Sequence, residues 1–445
     1  MQRFFLMPVF LWCTLCLPAA APAGNQTLPL SITESITLAL DRNPALAGAE
    51  HSVRGADFER KAARTDFLPK ISTEHSYTRY DETPYAKSPA GEFGPAAMKY
   101  KTGTRGRYQW NTSITQPVFA GGALVSSYQI ARLGLDIARQ NRDMARQDII
   151  LQVRQAYFTI LKAEKLQAVA LQAVTQVQSH VEVAKAFYEE QMVPQNDYLQ
   201  SQVWLAQTQQ DLIRAENSLQ VAKAGFNTVL SRHINEPVAV QDVLACTPEA
   251  VSLDDFLRQA AAQRPEMKEA ELCVEKARSG VSLAQSSYFP SLDLIGNYQK
   301  AGEHARMSGS PYEDDEVWTV STMLRWDVWE WGRKSYKVGA GRAELSRWQE
   351  QKRRVADAVA LEVKDAYLSV IEAEKNIGVA RTAIAHAEEN FRINKEQYAE
   401  QMATTTDVLD AQTMLTGAQS NYYSALSDYH IARAMLDRAA GRESW

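Results

Sequence analysis

The sequence predicts a mainly α-helical protein with strands suited to a membrane β-barrel, built as two copies of one helix–strand–strand–long helix–helix unit. Three observations predict it. First, segments recur at a fixed step of 210 residues: Ala156-Tyr157 as Ala366-Tyr367, Ala163-Glu164-Lys165 as Ala373-Glu374-Lys375, Gln191-Met192 as Gln401-Met402, and Asp197-x-Leu199 as Asp407-x-Leu409. A second set recurs at 221: Pro44 with Pro265, and Phe67-Leu68-Pro69 with Tyr288-Phe289-Pro290. Two long copies that differ by one indel indicate duplication of a whole unit rather than a short solenoid repeat. Second, helical periodicity runs unbroken for about 69 residues, roughly 100 Å at 1.5 Å per residue, which no compact domain holds. Third, short stretches alternate apolar and polar residues in the period-2 pattern of strands.

The N-terminus, residues 1–23, reads as a secretory signal. Arg3 supplies the positive region, Phe4 to Leu17 an apolar stretch too short to span a bilayer, and Ala21-Pro22-Ala23 a small-x-small cleavage site. Neither Cys13 nor Cys16 has the small residues before it that lipidation requires. The formal charge of −5 becomes −6 when Arg3 is removed with the signal, so there is no basic footprint for nucleic acid. The expected mature chain keeps Cys246 and Cys273, which either pair as a disulfide in an oxidising compartment or stay as buried thiols.

The first repeat is expected over 24–235. Ser31 to Leu40 is a short helix, with Ser31 and Glu34 as a capping box. Asn43-Pro44 breaks it, and Pro44 suits the first turn of the next helix, which Pro69 ends. Strands follow at about 70–82, where alternation is poor, and at about 105–118, with a loop over Thr83 to Thr104 rich in Pro, Gly and Lys. In the second strand Tyr108, Trp110, Thr112 and Ile114 alternate with Gln109, Asn111, Ser113 and Thr115. The long helix spans about 121–191, and a further helix Asp197 to about Leu230. Val174, Val177, Val181, Ala184 and Tyr188 keep a coiled-coil spacing.

After a linker at 236–251 the second repeat, 252–445, does the same. Its strands fall at about 290–300 and 316–328, and its long helix at about 332–400. Trp318, Val320, Thr322, Leu324 and Trp326 alternate with Thr319, Ser321, Met323, Arg325 and Asp327. In each copy the two shorter helices, about 24 and 34 residues, laid end to end span roughly 87 Å and nearly match the long one.

Taken alone, such strands fit a half-buried soluble sheet as well as a membrane wall. Aromatic residues at their ends favour a membrane girdle. Four strands of about ten residues have the length to cross an outer membrane but cannot close a barrel, and lipid does not tolerate open edges. Several chains must therefore share one wall, with the polar strand faces lining a lumen that the helices extend.

Gln116-Pro117-Val118-Phe119-Ala120-Gly121-Gly122, where strand turns to helix, and its copy Trp326-Asp327-Val328-Trp329-Glu330-Trp331-Gly332-Arg333 look like the signature of the TolC-like outer-membrane efflux proteins. Thr404-Thr405-Thr406-Asp407-Val408-Leu409-Asp410-Ala411-Gln412 resembles that family's periplasmic tip. The resemblance covers nearly all of the expected mature length. It implies a homotrimer in the outer membrane with a twelve-stranded barrel and a periplasmic α-helical tunnel. It also implies docking to a periplasmic adaptor and an inner-membrane transporter, as the exit duct of tripartite efflux or type I secretion.

By position, Asp407 and Asp410 match acidic residues that ring the narrow entrance. Asp197 and Tyr398 match a hydrogen-bonding pair that latches neighbouring hairpins. The chain departs from the family pattern at Ala403, where some members have an arginine, and at Gln191 and Gln401, where glycine is frequent. Plainer roles also fit. Asp407 lies three after Thr404 and suits a capping box, Asn196 and Asp197 suit an N-cap, and Tyr398 continues the packing stripe.

No His-Glu-x-x-His, phosphate loop, Gly-x-Ser-x-Gly or Cys-x-x-Cys occurs, so neither an enzyme nor a bound cofactor or metal is expected. A periplasmic coiled-coil adaptor carries one hairpin rather than two. A structural envelope coiled coil needs no alternating strands. Both remain alternatives of a different class.

Overall fold

A computed structural model describes residues 29–91, 94–245, 252–313 and 315–443. The expected signal peptide and Cys246, hence one end of the possible Cys246–Cys273 disulfide, lie outside the described residues. In order, copy one comprises α1 (Ile32–Arg42), α2 (Pro44–Thr65), β1 (Lys70–Arg79), β2 (Tyr85–Ser88), β3 (Met98–Lys101), β4 (Gly106–Ala120), α3 (Ala123–Glu189) and α4 (Gln195–Val229). Copy two comprises α5 (Leu253–Gln263), α6 (Pro265–Ser286), β5 (Ser291–Gly302), β6 (Glu316–Arg325), α7 (Arg333–Ala399) and α8 (Thr405–Ala439).

Local chemistry sets the helix ends. Ser31 and Glu34 form the expected capping box of α1. The Asn43 side chain accepts from Ala45 N–H at the start of α2 and its amide also donates to the Val229 carbonyl. One residue thus caps α2 and abuts it on the end of α4. In copy two, a Cβ on Gly441 would sit 3.1 Å from Arg264 N, so α8 meets α6 just as closely. The long helices α3 and α7 each run 67 residues without a break, and each carries the three shorter helices of its copy along its length.

Two boundaries differ from expectation. The segment 83–104 is not a plain loop, because β2 and β3 pair as an antiparallel ribbon with the Lys99 ammonium 4.0 Å from the centre of the Tyr85 ring. The ribbon occupies the extra length of copy one, and its Pro- and Gly-rich ends masked two four-residue strands. β6 stops at Arg325 rather than near 328, because the Trp326 indole turns to donate to the Tyr288 carbonyl and Lys334 bonds the Asp327 carbonyl. The turns after α3 and α7 form without glycine. Gln191 and Gln401 adopt φ 58° and 63°, and bonds from Met192 N to Phe187 O and from Met402 N to Gln397 O close them as Schellman turns.

Each copy has its own core. One packs Ile36, Val153, Tyr157, Phe158 and Phe226, and the other Phe256, Val363, Tyr429 and Leu436. Between them lies an ionic cluster. Arg264, 2% exposed, binds Glu266 and Glu362, and Arg438 binds Glu266, Glu362 and Asp148, tying α3, α6, α7 and α8 together. Cys273 is buried on α6, its thiol donates to Glu269 at 3.1 Å, and burial pushes its pKa up to about 12.

Burial raises the Glu266 carboxyl, but the bonds from Arg264 more than offset this and hold it below its ordinary value. A depressed carboxyl contributes stability that is present above its unfolded value, near 4.5, and lost as pH falls further. Glu266→Gln should therefore cost about 3 kcal/mol near neutral pH by leaving buried guanidinium charge short of a partner. It should also flatten the acid limb below pH 4.5. Thermal melting of detergent-solubilised protein across pH checks both, and an unchanged acid limb would show that another group carries it.

Candidate functional site

The first candidate region is the sheet. Its order is β1-β4-β5-β6, all antiparallel, so the two copies join through β4 and β5, and β1 and β6 leave an open edge on each side. Register sorts the side chains into two faces. Tyr77 stands opposite Tyr108, Thr73 opposite Thr112, Ile71 opposite Ile114, Tyr298 opposite Trp318 and Gly296 opposite Val320. The other face carries Ser72 with Ser113, Glu74 with Asn111, Asn111 with Gln299 and Asn297 with Thr319. Ser72 and Ser113 hydroxyls bond at 2.8 Å across that face.

The apolar face is bare in the single chain: Trp318 is 76% exposed, Ile71 71% and Val320 65%. A patch of this extent on one sheet face marks a surface meant to be covered. Aromatic residues concentrate at its two ends. Tyr77, Tyr108, Trp110, Tyr298 and Trp318 lie toward the β2–β3 ribbon. Phe67, Phe119, Tyr288, Phe289, Trp326 and Trp329 lie at the helix end. From Trp318 to Trp326 the chain rises roughly 26 Å at about 3.3 Å per residue, the scale of an apolar band between interfacial aromatic belts. Among the described residues no helix is long and apolar enough to cross a membrane.

The second region is the opposite end, where two turns lie at the tips of the helical hairpins. Here the expected residues separate. The Asp407 carboxylate accepts from Thr404 N–H at 2.8 Å and from the Thr404 hydroxyl at 2.7 Å, while Asp407 N–H donates to Thr404 Oγ1. That is a full capping box on α8, and the Thr404 hydroxyl and amide hold the carboxyl below its ordinary range. Asp410 lies one turn further on the same side of α8 and is exposed.

Within the single chain Tyr398 pairs with Thr405 rather than with Asp197. Tyr398 is 4% exposed, and its hydroxyl accepts from Thr405 at 3.1 Å. Burial, then the nearby Asp197 charge, raise its pKa, with Thr405 opposing. A buried phenol needs a partner, and Thr405, at the first turn of α8, is seven residues away on the same hairpin. The bond that crosses between the copies is instead Gln200 Nε2 to Thr406 Oγ1, 3.3 Å, from α4 to α8. Gln200 is the counterpart of Asp410 under the 210 offset, which is the sequence signal that singles it out.

Sequence reasoning also missed His180. It is buried, its ring centre lies 4.6 Å from that of Tyr398 with the planes tilted at 53°, and its Nε2 has no hydrogen-bond partner. Burial, with the Lys395 charge, lowers its pKa to about 4.

Thr112→Lys, on the face of Trp110 and Ile114, should cost about 2–4 kcal/mol of membrane stability, and Ser113→Lys, on the polar face, little. Urea unfolding from lipid bilayers reads both, and equal tolerance would reverse the assignment of faces. At the tip, His180 is neutral when folded, so its contribution is intact above its unfolded value of 6.5. Up to about 3 kcal/mol should be lost as pH falls toward 4. Hydrogen exchange around 180–200 and 390–405 should rise over that window. His180→Asn, which copies the equivalent Asn390, should abolish the rise; persistence of the pH effect in the variant would clear His180.

The comparisons with known proteins agree with this arrangement. The family model described as outer membrane efflux protein matches residues 35–231 and 256–442. Outer membrane efflux protein BepC of Brucella suis biovar 1 (strain 1330) is 21% identical over 423 residues, covering 94% of this chain and 87% of that protein. Outer membrane protein TolC of Vibrio cholerae serotype O1 is 24% identical over 449 residues, covering 98% and 95%. The crystal structure of the Campylobacter jejuni CmeC outer membrane channel superposes with a TM-score of 0.77 at 15% identity, over 92% of this chain and 85% of that one.

Proposed function

The chain belongs to the outer membrane efflux protein family, and from that premise we propose that it is one third of a trimeric exit duct. Three four-stranded sheets close a twelve-stranded barrel in the outer membrane, with the Ser72–Asn111–Thr319 face lining the lumen and the Trp318–Val320 face in lipid. The helices continue the barrel as a periplasmic tunnel about 100 Å long. The tips dock a periplasmic adaptor and an inner-membrane transporter, which supplies the energy for efflux or type I secretion.

One observation carries this reading: a sheet with two open edges and a bare apolar face sits on top of two very long helical hairpins. Each backbone group on those edges costs several kcal/mol in lipid unless it is paired, so β6 of one chain must meet β1 of the next. Crosslinking of outer-membrane preparations should give a three-chain product; a soluble single chain would end the proposal.

Within that assembly Asp407 and Asp410 place six carboxylates around the periplasmic opening. A confined ring of like charge concentrates cations, multivalent ones above all. Single-channel recordings should show cation preference and block by trivalent ions added from the periplasmic side. Both should weaken in Asp407→Ala/Asp410→Ala. If neither changes, the constriction lies elsewhere and these are ordinary helix-end carboxylates.

A further inference from the structure

α2 and α6 hold the same place in the two copies, yet they are buried very differently. α6 packs against both long helices, α3 and α7, and buries Pro265, Ala270, Cys273, Val274 and Ser286. α2 packs along α3, meets the end of α4 only at its Asn43 cap, and buries only Leu46. The contact that α2 lacks is the counterpart of α3 on α6. Inside the chain α7 has no second α2 to hold, and most of α7 near the sheet is exposed where the matching part of α3 is half-buried.

The two offsets turn this vacancy into residue pairs. Adding 210 moves a residue of α3 onto α7, and subtracting 221 moves a residue of α6 onto α2. Two contacts and one shared groove inside the chain can be carried over. At Gly121 a Cβ would lie 2.5 Å from the Ser286 carbonyl and 2.8 Å from Phe289; this maps to Trp331 against Thr65 and Leu68. Gly134 lies under the end of Lys276, which maps to Glu344 over Gly55. Gln129, Arg132 and Leu133 line a groove with Ser279, which maps to Gly339, Arg342 and Ala343 around Phe58.

In the last two places the larger and smaller partners change sides. Gly134 beneath Lys276 becomes Gly55 beneath Glu344, and Gln129 and Ser279, which line one groove, become Gly339 and Phe58. Within the chain these residues meet only near neighbours in sequence: Trp331 packs edge-on against Trp329, Phe58 lies near the Lys61 ammonium, and Glu344 accepts from Arg347 and Trp348. Trp331 is 86% exposed and Phe58 67%, and a Cβ built at Gly55 or Gly339 meets nothing within 4 Å.

We infer that α7 of each subunit grips α2 of the next through a size-exchanged seam, with Phe58 of the partner subunit seated over Gly339 and Gly55 of the partner subunit beneath Glu344. The inference rests on the assembly proposed above and adds what makes it directional. Pairing the wrong halves would press Phe58 onto Gln129 or leave Gly339 facing Ser279 across a void, and both overpacking and cavities are penalised. The exchange thus discriminates against copy one meeting copy one, as well as favouring the correct neighbour.

The test uses the full chain in native outer membranes, with Cys246→Ser and Cys273→Ser as background. Phe58→Cys with Gly339→Cys should oxidise to a covalent ladder ending at three chains. Gln129→Cys with Ser279→Cys should close within one chain and leave its mass unchanged. Gly339→Gln alone should lower the trimer fraction about tenfold, because one overpacked contact costs 1–3 kcal/mol. Adding Phe58→Ser should restore it. A trimer that an amine-reactive crosslinker still captures, with no disulfide in the Phe58→Cys/Gly339→Cys variant and no effect of Gly339→Gln, overturns the seam and leaves the duct standing. Absence of any trimer in the unaltered protein overturns both.

Discussion

Everything in this fold depends on one constraint: in hydrocarbon no backbone N–H or C=O can be left without a partner. The chain meets it only halfway. β4 and β5 are paired on both sides, but β1 and β6 each present a free edge. A soluble protein would blunt such edges with charge, proline or a covering loop. Here the edge strands are long, and their outward face is apolar. Closure is therefore handed to other copies of the chain, and the helical part inherits the same rotational arrangement. The open flank of α7 and the bare surface of α2 are the edge problem continued below the membrane.

Duplication meets the constraint with one design used twice, and divergence then separates the two uses. The same strand-to-helix junction is held by a Gln116 amide on the Phe67 carbonyl in copy one and by a Trp326 indole on the Tyr288 carbonyl in copy two. A donor at that position is kept and its bulk is not. Gly121 must be glycine, since its φ of 60° and the Ser286 carbonyl leave no room for a side chain. Its counterpart Trp331 takes a similar left-handed conformation at φ 52° and keeps its indole in the open. Positions that face the sister copy inside the chain differ from positions that face outward.

Much of the fold was legible because its signals are local. Ser31 with Glu34, Asn43-Pro44 and the alternation of Tyr108 to Thr115 each act within a few residues, and the structure follows them. The β2–β3 ribbon was not legible, because four-residue strands between Pro84 and Gly103 carry too little pattern to stand out from a loop. The tip was half legible. Position along the chain located Asp407, Asp410, Asp197 and Tyr398 at one end of the helices, but which partner a buried hydroxyl selects depends on three-dimensional proximity. Within the chain Tyr398 takes Thr405, seven residues along its own hairpin. His180 gave no motif at all, and only its burial reveals it.

This bears on how an entrance of this kind is set. Asp407 is committed: its carboxylate already serves two donors of Thr404, so its charge is partly spent in starting α8. Asp410 lies one turn beyond the cap, where no free N–H of a helix start remains for it to bind. Its counterpart Gln200 instead reaches Thr406 and stitches α4 to α8. The duplicated position therefore carries a neutral tie in one copy and an unengaged charge in the other. At a tip closed by Gln191 and Gln401 turns, with Ala403 in place of a basic residue, the neutral side chain ties α4 to α8 while Asp410 stays exposed on α8, which is why the proposed entrance ring rests on Asp410 more than on Asp407.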